Sequence, residues 1–268
     1  MKNRIMKKSK IITAFIIVFS FIFTSSLTGL SEGASQKKEF YRNLSKRLSN
    51  NRNNYAYLTD NEFANFREIH TTGIGKGRLY RSSSPVKPWG NRNVIADNAA
   101  REAGIKTFIN LADSDKGMKA LTGFNETYYS TQKYIGLKLN VKFMSKDFQN
   151  GVAKGIKFMT MNEPPYLIHC DLGKDRAGLF SAVIECLMGA SSDEVVDDFL
   201  VSFWNYFGIE AHSRDYEYVA DNEIRPFLAS MFGVKDIEGV NLKDAAERYA
   251  LRIGVSAEEI EILREKLR

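Results

Sequence analysis

The chain has 268 residues, 44% of them hydrophobic and 26% charged, proportions of a folded globular protein that exclude wholesale disorder. Two Cys and three His exclude a disulfide framework and a multi-ligand zinc site. A formal charge of +6 points to nucleic acid or an acidic membrane surface as partner, unless the charge is concentrated in one segment.

It is concentrated at the start. Lys2, Arg4, Lys7, Lys8 and Lys10 precede an apolar run from Ile11 to Phe23, and small and polar residues follow. This order predicts a signal peptide over residues 1–34 and a secreted or cell-envelope protein of a bacterium. Ala34 suits the last position before cleavage, whereas Glu32 two places earlier does not. Uncleaved and stretched to Leu30, the same run just reaches the roughly 20 residues of a membrane anchor. That anchor is the one membrane association expected. No Cys follows the run, so a lipoprotein anchor is excluded. Without residues 1–34 the chain keeps 33 basic and 31 acidic residues, a net of +2, and a nucleic-acid partner loses its support.

Residues 35–54 are polar and Asn-rich and read as a linker or a frayed helix. A folded core is expected over 55–190. It opens on a Gly-rich turn (Gly73, Gly75, Gly77), a short strand RLYRS and a loop marked by Pro85. The GxGxG spacing has neither an apolar strand before it nor a helix after it, so it reads as a turn. Arg81 and Ser82 to Ser84 read equally as the rim of a site or as a polar turn. A helix over NVIADNAARE ends at Gly104, and IKTFINLADS reads as a buried parallel strand. A second strand is expected over KLNVKFM (138–144), then a helix capped by Ser145 and stopped by Pro164 and Pro165. A third strand, YLIHC, leads through DLGKDR into the helix AGLFSAVIECLMGA. Alternating strands and helices predict an α/β fold, a mostly parallel central sheet flanked by helices. Residues 191–268 read as a helical C-terminal part packed on that core. Capping boxes stand at Ser191–Glu194 and Ser256–Glu259.

PYLIHCDLGKDRAG carries the chemistry. Cys170 ends a buried strand, a Gly-containing loop follows, and Arg176 stands where the next helix begins. Loop amides and a helix N-terminus make an anion cradle. Arg176 can grip two phosphate oxygens at once. The same positive surroundings favour a Cys170 thiolate, a nucleophile aimed at phosphorus. Asp171, Leu172, Gly173, Lys174 and Asp175 complete the candidate binding loop. This chemistry calls for no metal and no cofactor.

HCDLGKDRAG resembles the HCx5R phosphate loop of the cysteine-dependent tyrosine phosphatase superfamily, and its GKDR wording is similar to the bacterial tyrosine- and lipid-phosphatase branch. RLYRSSSP, GIKTFINLADSD and the C-terminal LKDAAERYALRIGVSAEEI resemble that branch too. The resemblance implies that Cys170 forms a cysteinyl-phosphate, Arg176 binds the phosphoryl oxygens and His169 braces the loop. It implies that Lys174 and Asp175 face the substrate, a phosphorylated protein or a phosphoinositide. The family carries Ser or Thr after the Arg, where this chain has Ala177. That departure leaves open a phosphate-binding pseudophosphatase without turnover.

A general acid must reach the leaving oxygen. Asp113 is preferred, at the end of a strand where a parallel sheet opens its ligand crevice. Asp147 and Asp115 remain alternatives, although Ser145 and Asp147 also read as a helix cap and first-turn acid. Asp175 is a candidate for positioning water. Cys186, in the middle of a helix, reads as a core residue that does not pair with Cys170, and His70 and His212 read as plain polar residues.

Overall fold

The computed structural model describes residues 30–49, 51–88 and 90–268, so most of the expected export segment lies outside the described residues. The described residues fall into two units, 30–49 and those from 51 onward. In the first, helix α1 (Leu30–Arg47) runs through the expected cleavage position at Ala34 and through most of the polar stretch read as linker or frayed helix. Lys46 and Arg47 in its last turn complement the helix dipole. No helix among the described residues is long and apolar enough to cross a membrane.

The second unit begins with a 3-10 turn (Arg52–Tyr55) followed by the short helix α2 (Asp60–Phe63), whose N-terminus is capped by a Thr59–Glu62 capping box. Its sheet has five strands: β1 (Arg67–Glu68), β2 (Leu79–Ser82), β3 (Thr107–Asn110), β4 (Lys133–Gly136) and β5 (Tyr166–His169). Their order is β1-β2-β5-β3-β4, with β1 antiparallel and the others parallel. Every residue of β3 and β5 is buried, which is why both read as continuous runs rather than alternating ones. The last strand in the chain thus lies at the centre of the sheet. Ser82, His169 and Asn110 stand abreast, and the residue after His169 emerges from the middle of the carboxyl edge.

The strand expected over 138–144 is absent. The fourth strand is β4, a partly exposed edge strand with little pattern. Leu139 and Phe143 are buried, as the alternation in KLNVKFM suggested, but from a loop. Leu139 packs on the backbone of Gly151, and the Phe143 ring lies 5.2 Å from that of Phe148.

On one face of the sheet, helix α3 (Arg92–Glu102) and the segment around the short helix α4 (Asp115–Lys119) cover Phe108 and Leu167 with Ala96, Ala100, Met118 and Tyr129. On the other face lies α5 (Lys146–Met161), whose Met159 carbonyl accepts a 2.8 Å bond from the Tyr166 hydroxyl. Helix α6 (Asp175–Met188) is buried from Ala177 to its end, the pattern of a core helix. It packs on β2 and β5 and is enclosed by α7 (Ser192–Phe207), α9 (Ile224–Phe232), α10 (Leu242–Arg252) and α11 (Ala257–Leu267). Each Leu, Ile, Val or Phe it buries stabilises the fold by about 1.5–3 kcal/mol. Helix α8 (Arg214–Asn222) connects α7 to α9. Both capping boxes read from the sequence are formed, at Ser191–Glu194 and Ser256–Glu259.

Candidate active site

Cys170, 3% exposed, is the first residue beyond β5, and residues 171–174 loop from it to the first residue of α6, Asp175. All four loop carbonyls are held from outside. Ser84 N–H donates to Asp171 at 3.2 Å; the Asn65 amide and the Tyr206 hydroxyl donate to Leu172 at 3.0 and 2.7 Å. Arg81 Nη2 donates to Gly173 at 2.8 Å and to Lys174 at 3.1 Å. A trans peptide points its N–H opposite to its C=O. Outward carbonyls therefore turn the amides of residues 172–175 into the loop, and the N-terminus of α6 adds its partial positive charge. Gly173 is required twice over: its φ is +68°, and a Cβ there would meet the Ser82 carbonyl oxygen at 2.1 Å.

The support behind the loop is ionic. Arg81 is fully buried and joins Asp198 of α7 at 2.5 Å, and Arg67 joins the same carboxylate at 2.9 Å. Burial opposes the Asp198 charge, but the two guanidinium groups outweigh it and hold its carboxyl below the ordinary range. Glu185 of α6 is buried among these groups, and both of its carboxylate oxygens are without a hydrogen-bond partner. Burial, aided by the Asp198 charge and opposed by Arg81 and Arg67, pushes it well above the usual carboxylate range. The Asn65 amide also donates to Ser202 Oγ at 3.1 Å, and its carbonyl accepts from Arg67 and Asn205. At Gly178 any Cβ would meet the Phe199 ring and Arg81, so α6 and α7 approach closely there.

At the mouth a chain of four charges runs Asp113–Lys87–Asp171–Arg176. Lys87 Nζ lies 2.8 Å from Asp113 and 2.6 Å from Asp171, whose other oxygen pairs with Arg176 Nη2. Arg176 Nη1 donates to the Leu139 carbonyl at 3.1 Å. Burial opposes the Arg176 charge, but Cys170 and Asp171 more than offset it and raise its pKa. Burial likewise opposes the charge of Asp171, and Arg176 and Lys87 overcome it, so its carboxyl is held low.

Of the residues singled out from sequence, Cys170, Asp171, Gly173, Arg176 and Asp113 meet at this site. Lys174 is 2% exposed and does not open onto it: its ammonium lies 4.4 Å from the centre of the Phe203 ring of α7 and pairs with the Asp175 carboxylate. Ala177 is buried in the first turn of α6. His169 is fully buried edge-on to Tyr129, and burial lowers its pKa to about 3, so it is neutral. Asp115 accepts from Gly136 N–H at 2.6 Å and fastens β4, and Asp147 is an exposed acid in the first turn of α5. Cys186 is a buried free thiol in α6, raised well above its usual pKa by burial. The GxGxG stretch is a turn, with Gly75 N–H donating to the Leu267 carbonyl at 2.7 Å. Arg81 is not on the rim; it stands behind the loop.

Asn65, Arg67, Asp198, Ser202 and Tyr206 were missed by sequence reasoning, as was Lys87. In Asn65 the signal was a polar residue between two buried Phe, and in Asp198 an acid inside an aromatic stripe. Nothing local marked Lys87, which follows Pro85 in an irregular stretch.

A family model described as the tyrosine phosphatase family matches residues 61–268. No curated protein matches the chain. Among solved structures, the core catalytic domain of the PP-IP phosphatase SIW14 from S. cerevisiae, in complex with citrate, is similar at 18% identity. It covers 59% of this chain and 91% of its own, with a TM-score of 0.39.

Proposed function

The chain belongs to the tyrosine phosphatase family, and from that premise we propose that it is an exported cysteine-dependent phosphatase cleaving phosphate monoesters on phosphotyrosine or a phosphoinositide. The observation that carries this reading is the loop itself. Its four outward carbonyls leave a ring of inward amides around the end of β5, with Cys170 at its base and Arg176 at its edge. Such a ring binds a phosphate-sized anion and favours charge that develops on its oxygens.

In the first step the Cys170 thiolate attacks phosphorus while Arg176 holds two phosphoryl oxygens. The bond to the leaving oxygen breaks as Asp113 gives it a proton. In the second step water attacks the cysteinyl-phosphate and gives its proton to the Asp113 carboxylate left by the first step, releasing inorganic phosphate and the thiolate. Ala177 offers no hydroxyl to the departing sulfur, so this step is slower than with Ser or Thr there, or is assisted by another group. Export rests on the basic and apolar start of the chain.

The test is hydrolysis of an aryl phosphate by purified protein with a chelator present. Activity is expected to persist and to fall about 10⁴-fold or more in Cys170→Ser. Dependence on a metal, or survival in that variant, overturns the reading. Ala177 also favours a second reading, a phosphate-binding pseudophosphatase; that reading predicts tight anion binding with no second turnover.

A further inference from the structure

Asp171 places a carboxylate at the mouth of a loop built for a phosphate. It takes Arg176 Nη2 on one oxygen and Lys87 on the other, at 2.6 Å for Lys87, and Lys87 is shared with Asp113. With Asp113 ionised, before it takes up the proton it later donates, the four charged side chains of this chain sum to zero. Lys174, the remaining lysine of the loop, is buried against Phe203 and paired with Asp175. Lys138, beside Leu139, is exposed, where solvent and salt screen its charge. The amides and the α6 dipole provide for one phosphate, and no unneutralised cation within the ion chain remains for a second.

We infer that Asp171 is a specificity-determining residue, a resident anion that an entering phosphate must displace from Arg176, and that it restricts the site to monoesters whose neighbouring groups are uncharged, as in a phosphotyrosine side chain. An inositol ring carrying several phosphates meets the same cradle with further negative charge beside Asp171 and Asp113, and like charges at that range weaken binding. When a single phosphate enters, Asp171 keeps Lys87 as partner, so the carboxylate it displaces is not left unpaired. This inference narrows the proposed phosphatase reading and rests on it.

Binding without turnover tests it separately from catalysis. Titration calorimetry on Cys170→Ser, at about 0.15 M salt, compares phenyl phosphate with myo-inositol hexakisphosphate. Cys170→Ser with Arg176→Met marks any binding outside the cradle. The cradle of Cys170→Ser is expected to prefer phenyl phosphate. Adding Asp171→Asn is expected to shift the ratio of affinities about tenfold towards the hexakisphosphate, the scale of removing one nearby charge. Asp171→Ser is expected to act in the same direction, and the shift is expected to shrink as salt rises. A cradle that prefers the hexakisphosphate, or a ratio unmoved within twofold in both variants, overturns the inference. Failure of both anions to bind overturns the cradle as well. Turnover of aryl phosphate by the unaltered protein reports on the phosphatase reading alone.

Discussion

Arg81 of β2 reaches Gly173, 92 residues away, and its Nη2 donates to that carbonyl at 2.8 Å while Nη1 holds Asp198. One buried guanidinium thus fixes the curvature of the phosphate loop and ties it to α7. Arg81→Met leaves the Gly173 carbonyl without its donor, the Lys174 carbonyl with only the Gly178 N–H, and Asp198 with one cation in place of two. Breaking a buried ion pair from one side costs about 3–5 kcal/mol, and a loss of that size is expected in chemical denaturation. Arg81→Lys is expected to recover little of it, since a single ammonium does not reproduce the planar fork. A loss under about 1 kcal/mol would show that the loop holds its shape without Arg81.

The three candidate acids separate cleanly by position. Asp113 shares Lys87 with the phosphate loop, whereas Asp115 fastens Gly136 and Asp147 faces solvent. Asp113→Asn is expected to lower kcat roughly 10²–10³-fold on an alkyl or unactivated aryl ester, and less on a substrate with a good leaving group. Asp147→Asn is expected to leave kcat within about twofold, and Asp115→Ala to cost about 1 kcal/mol of stability with kcat similarly preserved. A large kcat defect in Asp147→Asn would move the acid there.

Gly173→Ala combines a left-handed backbone with a Cβ 2.1 Å from the Ser82 oxygen. The variant is expected to lose affinity for vanadate or phosphate by at least about tenfold and to melt several degrees lower. Wild-type anion affinity in Gly173→Ala would mean that the loop and β2 can part without consequence.

Glu185 gives the protein a pH dependence of unusual sign. Its folded pKa is raised well above the ordinary carboxylate value by burial. Its stabilising contribution is therefore complete below about pH 4.5 and is lost as pH rises towards the folded value. Relative to Glu185→Gln, the wild type is expected to lose about 1.4 kcal/mol per pH unit across that window. His169 works the other way. Its folded pKa of about 3 lies below the unfolded value, so its contribution is complete above about pH 6.5 and is lost on acidification. Subtracting the denaturation curves of wild type and Glu185→Gln isolates the first term; parallel curves would mean that Glu185 is ionised in the fold.

The chemistry was legible because Cys170, Gly173 and Arg176 fall within seven residues, on a strand–loop–helix unit whose parts each have a local signature. The buried strands β3 and β5 and the two capping boxes were legible for the same reason. The strand over 138–144 misled because alternation reports burial, not pairing: Leu139 and Phe143 are buried against α5 rather than in a sheet. The edge strand β4 hides because it is partly exposed and short. The scaffold behind the loop is invisible in sequence for another reason. Asn65 and Ser202 are 137 residues apart, and Arg81 and Asp198 are 117 apart, so their pairing exists only after folding.

The place of β5 orders the life of the chain as well as its site. β2 and β3 each pair with β5 and not with each other, so neither has its inner neighbour until residues 166–169 have been synthesised. Even then the loop carbonyls wait for Tyr206 and the Arg81 clamp waits for Asp198. A growing chain is therefore without the centre of its sheet until β5 has been made, and fragments ending before residue 166 are expected to remain protease-sensitive. Assembly becomes cooperative late, when one central strand and the two helices that follow it arrive together.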